Sequence, residues 1–216
     1  MADLSSQREK LVASLQRRGC IVSPHVERAM RAVPREEFLP RELRDEAYVD
    51  TPLPIGDGQT ISAPHMVAIM VEALDLTPGQ TVLEVGAGSG YHAAVVAEAV
   101  SPGGHVYTVE RLPSLAEFAK ANLSRTGYDD RVTVVEGDGS KGLPEHAPYD
   151  RIFVACGAPD IPQPLVDQLK VGGEMLVPVG GRYYQDLIKV TRRKSGVVKE
   201  NHGGCVFVPL VGEHGY

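Results

Sequence analysis

Residues 82–91 read Val82-Leu83-Glu84-Val85-Gly86-Ala87-Gly88-Ser89-Gly90-Tyr91. An apolar run of strand length leads into three glycines at alternate positions, and an alanine-rich helical pattern follows. Glycine is needed where the backbone turns sharply and where a ligand must approach without a Cβ in the way. The stretch therefore predicts a strand, a glycine turn and a helix, with a ligand site at the turn.

The sequence after this stretch continues to alternate between short apolar runs and helical patterns. Predicted strands lie at residues 81–85, 105–109, 132–135, 149–155 and 175–179, and predicted helices at 91–100, 115–126 and 164–170. Strands that alternate with helices form right-handed βαβ units around a parallel sheet. The sequence thus predicts an α/β fold with a doubly wound, mostly parallel, Rossmann-like sheet.

Two regions flank this predicted core. Helical patterns precede it at 5–18, 24–32 and 64–74, whereas residues 35–58 are rich in proline and charge and are expected to wrap the surface. Residues 186–191 and 203–210 have strand character without a helix between them, which predicts an antiparallel pair at the sheet edge. We expect one domain, 1–216, with an N-terminal helical and substrate-side segment (1–78), a cofactor-binding core (79–180) and C-terminal edge strands with a tail (181–216).

The composition argues against several classes of function. Lys and Arg number 22 against 28 Asp and Glu, and the net charge of −6 lacks the basic footprint of a nucleic-acid-binding protein. Cys20, Cys156 and Cys205 are far apart and form no CxxC pair, so we expect reduced thiols rather than a disulfide framework or a zinc site. No segment approaches the roughly 20 apolar residues that span a bilayer. We expect a cytoplasmic protein without a metal and without nucleic-acid or membrane partners.

Two cofactors compete for the glycine turn. A dinucleotide needs G-x-G-x-x-G or a final alanine, but the glycines here are Gly86, Gly88 and Gly90, and Tyr91 follows them. The third small residue is misplaced for a dinucleotide, whereas S-adenosylmethionine suits a G-x-G-x-G turn with an acidic residue at the end of the next strand. Glu110 has that position, where its carboxylate can accept hydrogen bonds from both ribose hydroxyls.

A third strand end completes the predicted cofactor site. Asp138 is placed to accept from the adenine amino group, with backbone N–H groups near Gly139 facing the ring nitrogens. The alternative is that the glycines only make a turn and the acids are solvated strand ends, but the spacing follows the doubly wound pattern closely. The residues expected to contact S-adenosylmethionine are Glu84, Gly86, Ala87, Gly88, Ser89, Gly90, Tyr91, Glu110, Arg111, Gly137, Asp138 and Gly139.

Several motifs outside the glycine turn point to one family. They are Thr60-Ile61-Ser62-Ala63-Pro64-His65-Met66, Tyr149-Asp150-Arg151-Ile152, the run 162–170, Gly172-Gly173, the run 176–180 and Phe207-Val208-Pro209-Leu210. Together they resemble the protein-L-isoaspartate O-methyltransferases, and the resemblance covers essentially the whole chain. Residues 61–65 are its most specific part, because other methyltransferases lack that motif.

The resemblance implies a repair enzyme that works as a monomer on damaged proteins and peptides. It would methylate the free α-carboxylate of L-isoaspartyl residues, which arise through a succinimide from asparagine and aspartate, and the ester would re-form the succinimide. By resemblance Ser62 is the catalytic residue, and Ile61 and His65 join the cofactor-binding residues. The residues expected to bind substrate are Thr60, Ser62, Ala63, Val208 and Pro209.

The chemistry gives Ser62 a specific task. A carboxylate with a pKa of about 4 is ionised at neutral pH and needs no strong base to attack a sulfonium methyl group. Catalysis is then mainly alignment, and one hydrogen bond from a neutral hydroxyl can fix the carboxylate without quenching it. A second, compatible interpretation is that Ser62 caps the helix that follows Pro64.

Two other functions remain open from the residues alone. The acceptor could be a small molecule, an RNA or an aspartate of a biosynthetic peptide, because a fold does not fix a substrate. The chain could also bind the cofactor without catalysis, although the turn, Glu110, Asp138 and Ser62 together favour an enzyme. Residues 211–216 could be a mobile tail or part of a substrate-binding lip, and we favour the lip.

Overall fold

The centre of the molecule is a seven-stranded sheet, seen in a computed structural model that describes residues 3–216; the first two residues of the predicted 1–78 segment lie outside the described residues. Its strands are β3 (Thr81–Val85), β4 (His105–Glu110), β5 (Val132–Glu136), β6 (Tyr149–Val154), β7 (Leu169–Gly181), β8 (Tyr184–Arg193) and β9 (Gly196–Cys205). They lie in the order β5-β4-β3-β6-β7-β8-β9. The first five are parallel and the last two are antiparallel. The predicted fold class is therefore confirmed.

Six α-helices and a small hairpin accompany the sheet in the described part of the chain. The helices are α1 (Leu4–Arg17), α2 (Pro24–Ala32), α3 (Pro64–Ala73), α4 (Tyr91–Ala99), α5 (Pro113–Thr126) and α6 (Gln163–Asp167), and the hairpin pairs β1 (Leu53–Gly56) with β2 (Gln59–Ile61). None of the helices in the described residues is long and apolar enough to cross a bilayer.

The sheet is covered on both faces. Side chains alternate along a strand, so Val82 and Leu83 belong to hydrophobic clusters on opposite sides. From β3 the chain runs through β4 to β5 at one edge and then returns to β6 on the other side of β3. In sheets of this kind, ligands bind beyond the carboxyl ends of the strands where the direction of winding reverses. The glycine turn lies at that point.

The prediction for residues 35–58 is wrong in part. This segment contains two 3₁₀ helices, Arg35–Phe38 and Arg41–Glu46, and strand β1. Arg35 and Phe38 are fully buried, and Leu39 is nearly so. The segment is therefore not only a surface wrap. Its buried residues are too few and too irregularly spaced among prolines and charges to give a periodic signal.

The predicted strand at 203–210 is displaced. The edge strand β9 ends at Cys205, and beyond it Pro209 makes only an isolated parallel bridge with Gly157. Every residue of β9 before Cys205 is exposed, so the strand has no apolar alternation to reveal it. The predicted helix 164–170 likewise ends at Asp167, because β7 begins at Leu169.

We expect Gly90→Ala to destabilise the fold more than Gly79→Ala. Both glycines have positive φ, +85° and +83° respectively, so each alanine adds about 1 kcal/mol of left-handed strain. A Cβ on Gly90 would also lie 3.1 Å from Leu123 Cγ, whereas one on Gly79 would meet nothing within 4 Å. Overpacking adds about 1–3 kcal/mol. Urea unfolding of both variants measures the difference, and equal losses would show that α4 and α5 do not need this close approach.

Candidate active site

The glycine turn joins β3 to α4 through backbone conformations that favour glycine. Gly86, Gly88 and Gly90 have φ of +95°, +53° and +85°. The Gly86 N–H donates to the Val109 carbonyl oxygen at 2.8 Å, and the Gly90 N–H donates to the Ala87 carbonyl oxygen at 2.8 Å. The turn is therefore bonded both to the neighbouring strand and within itself.

A cavity opens in front of this turn, at the carboxyl ends of β3, β4 and β6. Three strand ends, the glycine turn and residues 208–211 surround this space, which makes it a concave site of the kind that binds small molecules and cofactors. Ten of the predicted cofactor residues line it: Ile61, Glu84, Gly86, Ala87, Gly88, Ser89, Tyr91, Glu110, Arg111 and Gly139. Gly90, Gly137, Asp138 and His65 are outside its lining. We call this space the first cavity.

Glu110 presents a fixed carboxylate to the first cavity. One oxygen accepts from the Gly88 N–H at 2.9 Å and the other from the Leu112 N–H at 3.0 Å. The side chain is almost fully buried yet lines the cavity. The glycine turn and the end of β4 are thus joined through this carboxylate.

Glu84 is a second carboxyl group in the same wall, and it lacks a full set of partners. One oxygen accepts from the Thr108 hydroxyl at 2.5 Å, while the other is buried and has no partner among the described residues. Burial raises the pKa of Glu84 well above its ordinary value; the Thr108 hydrogen bond opposes the shift and the nearby Glu110 adds to it. An unpartnered buried carboxyl oxygen at a cavity wall fits a ligand that carries positive charge.

His92 also lines the first cavity, although its sequence context does not single it out as a site residue. Its ring packs on Phe153, with centroids 4.3 Å apart. Neither ring nitrogen has a partner among the described residues, and burial lowers the pKa of His92 to about 3. The imidazole is therefore neutral at physiological pH. Its only sequence signal was its position directly after Tyr91.

The N-terminal segment reaches the first cavity through Tyr91. The Arg35 guanidinium lies 5.0 Å from the Tyr91 ring centroid, and the Phe38 ring lies 5.7 Å from it. The Arg35 Nε also donates to the Ala47 carbonyl oxygen at 2.9 Å. Burial lowers the pKa of Arg35 to about 10, so the side chain keeps its charge at neutral pH.

Asp138 faces the C-terminal segment. Its Oδ1 accepts from the Ser140 N–H at 3.0 Å and from the Ser140 hydroxyl at 2.7 Å, and its Oδ2 accepts from the Glu213 N–H at 2.9 Å. Partial burial works in the opposite direction, but hydrogen bonds from Glu213 and Ser140 hold the pKa of Asp138 below its usual value. The predicted contact with adenine stays a prediction. The segment after Leu210 packs on Asp138.

A second cavity shares a wall with the first. The residues that line both cavities are Thr60, Ser62, Ala155, Val208 and Pro209. Ala63 and His65 line the second cavity but not the first. Ala63, not Ser62, is the N-cap of α3, and no side chain caps this helix. The interpretation of Ser62 as a helix cap is therefore wrong.

His65 is fixed by a residue that the sequence analysis missed. Asp50 Oδ1 accepts from the His65 N–H at 2.8 Å and lies 2.9 Å from His65 Nδ1, while Arg18 donates to Asp50 Oδ2 at 2.6 Å. Partial burial opposes the shift, but the Arg18 and His65 hydrogen bonds hold the pKa of Asp50 below its ordinary value. An ionised Asp50 requires the proton on Nδ1 of His65. Asp50 lies 15 positions before His65, and no local motif relates them.

Comparison with known proteins decides the family. A sequence model of the family described as protein-L-isoaspartate(D-aspartate) O-methyltransferase matches residues 6–215. The chain belongs to this family. It is 62% identical over 217 residues to the protein-L-isoaspartate O-methyltransferase of Hyperthermus butylicus, covering 97% of this chain and 90% of that one. The Methanopyrus kandleri protein of the same name is 61% identical over 210 residues, covering 97% and 93%.

Solved structures agree with this assignment to the isoaspartate methyltransferases. One protein-L-isoaspartate O-methyltransferase superposes with a TM-score of 0.87 at 36% identity, covering 96% of this chain and 67% of that one. A Plasmodium falciparum structure, described as a complex of such an enzyme with S-adenosyl-L-homocysteine, gives 0.83 at 29% identity, covering 94% and 98%. The chain is thus an S-adenosylmethionine-dependent methyltransferase of isoaspartyl residues in proteins. Nothing in these comparisons supports another acceptor.

We expect Glu110→Gln to weaken S-adenosylmethionine binding about 10- to 100-fold, because a hydrogen bond to a charged group contributes about 1.5–3 kcal/mol. Glu136→Gln is the matched control, since Glu136 pairs with Glu110 in the sheet register but is exposed and lines neither cavity. Calorimetric titration with the cofactor measures both variants. Equal affinity of the two variants would remove Glu110 from the binding site.

Proposed function

We propose that the first cavity binds S-adenosylmethionine and that the second binds the isoaspartyl peptide. The methyl group would pass from one cavity to the other beside Ser62, where the two cavities share lining residues. One observation supports this most directly. The motif residues Thr60 and Ser62 and the C-terminal residues Val208 and Pro209 border both spaces. A methyl donor in one cavity and a carboxylate acceptor in the other would therefore be adjacent at these residues.

The cofactor residues divide by task. Glu110 would accept hydrogen bonds from the ribose hydroxyls, since its carboxylate is already oriented by Gly88 and Leu112. Gly139 would place its backbone against the adenine ring. A Cβ at this position would lie 2.6 Å from Val85 Cγ1, so only glycine fits there. Glu84 would face the positive end of the cofactor. Asp138 would accept a hydrogen bond from the adenine amino group, and the segment after Leu210, which packs on Asp138, would lie beside it.

The residues around Ser62 would align the reaction. When bound, the cofactor supplies a methyl group on a positively charged sulfur. The isoaspartyl carboxylate is ionised at neutral pH and would accept that methyl group without a base, so that the carboxylate and the sulfonium would both lose their charge. Ser62 would donate one hydrogen bond to the carboxylate oxygen that does not attack. Buried Ile61 and Ala63 flank Ser62 and would exclude water.

Four broader proposals accompany this site. The chain would act as a monomer, because residues of one chain line both cavities. It would work in the cytoplasm, which suits three free cysteines, and its net charge of −6 argues against a nucleic-acid partner. We also retain the division into 1–78, 79–180 and 181–216 within one domain as a proposal.

Ser62→Ala should lower kcat/KM for an isoaspartyl peptide about 10- to 100-fold while leaving cofactor affinity unchanged. The hydroxyl contributes one hydrogen bond to a charged group, about 1.5–3 kcal/mol. Ser195→Ala, in the exposed turn between β8 and β9, is the control. Labelled methyl transfer to matched L-isoaspartyl and L-aspartyl peptides measures the effect. Unchanged turnover in Ser62→Ala would refute the assignment.

Glu84 should make the stability of the free enzyme depend on pH. Its folded pKa lies above the ordinary value of 4.5, so its contribution to stability is fully present below pH 4.5 and is lost as pH rises towards the folded pKa. The slope is at most about 1.4 kcal/mol per pH unit. Glu84→Gln removes this slope, so the variant should gain stability relative to the wild type from pH 5 to 8. Urea unfolding at several pH values measures this, and parallel curves would mean that Glu84 is ionised in the free enzyme.

A further inference from the structure

The two cavities differ in the charges that line them. The first contains the carboxyl groups of Glu84 and Glu110 together with the guanidinium of Arg111. Among the described residues, no carboxylate lines the second cavity, whose ionisable groups are His65, Arg182 and the thiol of Cys205. Burial raises the pKa of the Cys205 thiol to about 11, so it is neutral. Among the described residues, Arg182 is therefore the one permanent charge in that lining.

Arg182 is held by the C-terminal segment rather than by an acid. It lies in the exposed turn between β7 and β8, and its guanidinium carbon is 4.6 Å from the centroid of the Tyr216 ring. The Tyr216 N–H donates to the Leu210 carbonyl oxygen at 2.8 Å, and the Tyr216 hydroxyl donates to the Gly180 carbonyl oxygen. An aromatic face restrains a guanidinium without neutralising it.

We propose that Arg182 is a specificity-determining residue that favours isoaspartyl substrates with an acidic side chain beside the damaged residue, and that Tyr216 is its positioning residue. This rests on the proposed function of the second cavity. The planar guanidinium can pair with a carboxylate through two parallel hydrogen bonds. A neighbouring acidic side chain, not the reacting carboxylate, is its partner, because Arg182 lines only the second cavity and Ser62 lies at the wall shared with the first.

A charge series of peptides tests the proposal. Each peptide contains one L-isoaspartyl residue, and the residues on both sides of it are Glu, Gln or Lys. Glu and Gln differ in charge but scarcely in shape. Methyl transfer is measured at saturating S-adenosylmethionine for the wild type, Arg182→Met and Arg193→Met. Arg193 is the control because it is exposed near the far end of β8 and lines neither cavity.

The wild type should show a kcat/KM for the Glu peptide about 1.5- to 5-fold above that for the Gln peptide, mainly through KM, as expected for an exposed charge pair. Added salt should reduce this ratio. Arg182→Met should bring it to about 1, and Arg193→Met should keep it. A ratio of 1 in the wild type would overturn the proposal. An equal loss for both peptides in Arg182→Met would do the same, since it would place Arg182 on a group common to all substrates.

Two Tyr216 variants test the positioning role. Tyr216→Phe keeps the ring and should keep the preference for Glu over Gln, whereas Tyr216→Leu should reduce it about as far as Arg182→Met does. A general structural defect would lower turnover of both peptides and leave the ratio intact, which would refute the role of Tyr216. Failure of the wild type to methylate any isoaspartyl peptide would reject the proposed site itself, and this inference with it. Methylation of all peptides without a charge preference would reject the inference alone.

Discussion

The left-handed backbone of Gly86, Gly88 and Gly90 constrains everything around it. Positive φ at these three positions lets the chain leave β3 and enter α4 within five residues. The absence of a Cβ at Gly90 lets the turn approach Leu123 of α5. Because the turn is so short, Tyr91 and His92 begin the helix directly over the sheet, and Gly88 is brought to the carboxylate of Glu110. This one turn therefore fixes how β3, α4 and Glu110 in the lining of the first cavity lie relative to one another.

The sequence predicts the parallel core well, because buried parallel strands are continuous apolar runs with recognisable ends. It fails where burial has no periodicity. Arg35 is fully buried in a segment that looks like a charged surface loop, and β9 is a ten-residue strand whose exposed residues carry no alternation. The apolar residues 206–210, which resemble a strand, instead cross the carboxyl ends of the sheet and line the cavities.

The residues of the candidate site also fall into two groups, those that the sequence predicts and those that it does not. The glycine turn and Glu110 are visible in the sequence because backbone geometry and strand ends demand particular residues at fixed spacing. The Asp50–His65 pair and the unpartnered nitrogens of His92 depend on how distant segments pack. No local pattern encodes them. Asp138 illustrates the limit well, since its position was foreseen but its bonds to the segment after Leu210 were not.

The different side chains that line the two cavities can be related to the charges of the reaction. A positively charged donor and a negatively charged acceptor attract each other more strongly in a low-dielectric site than in water, and the transfer neutralises both. In the proposed arrangement Glu84 and Glu110 would lie near the donor and Arg182 near the peptide, while the lining shared by the two cavities is uncharged. A charged side chain at the shared wall would stabilise one ion before reaction and lose that stabilisation afterwards. A neutral hydroxyl does neither to the same extent, and the shared lining contains two hydroxyl side chains, Thr60 and Ser62.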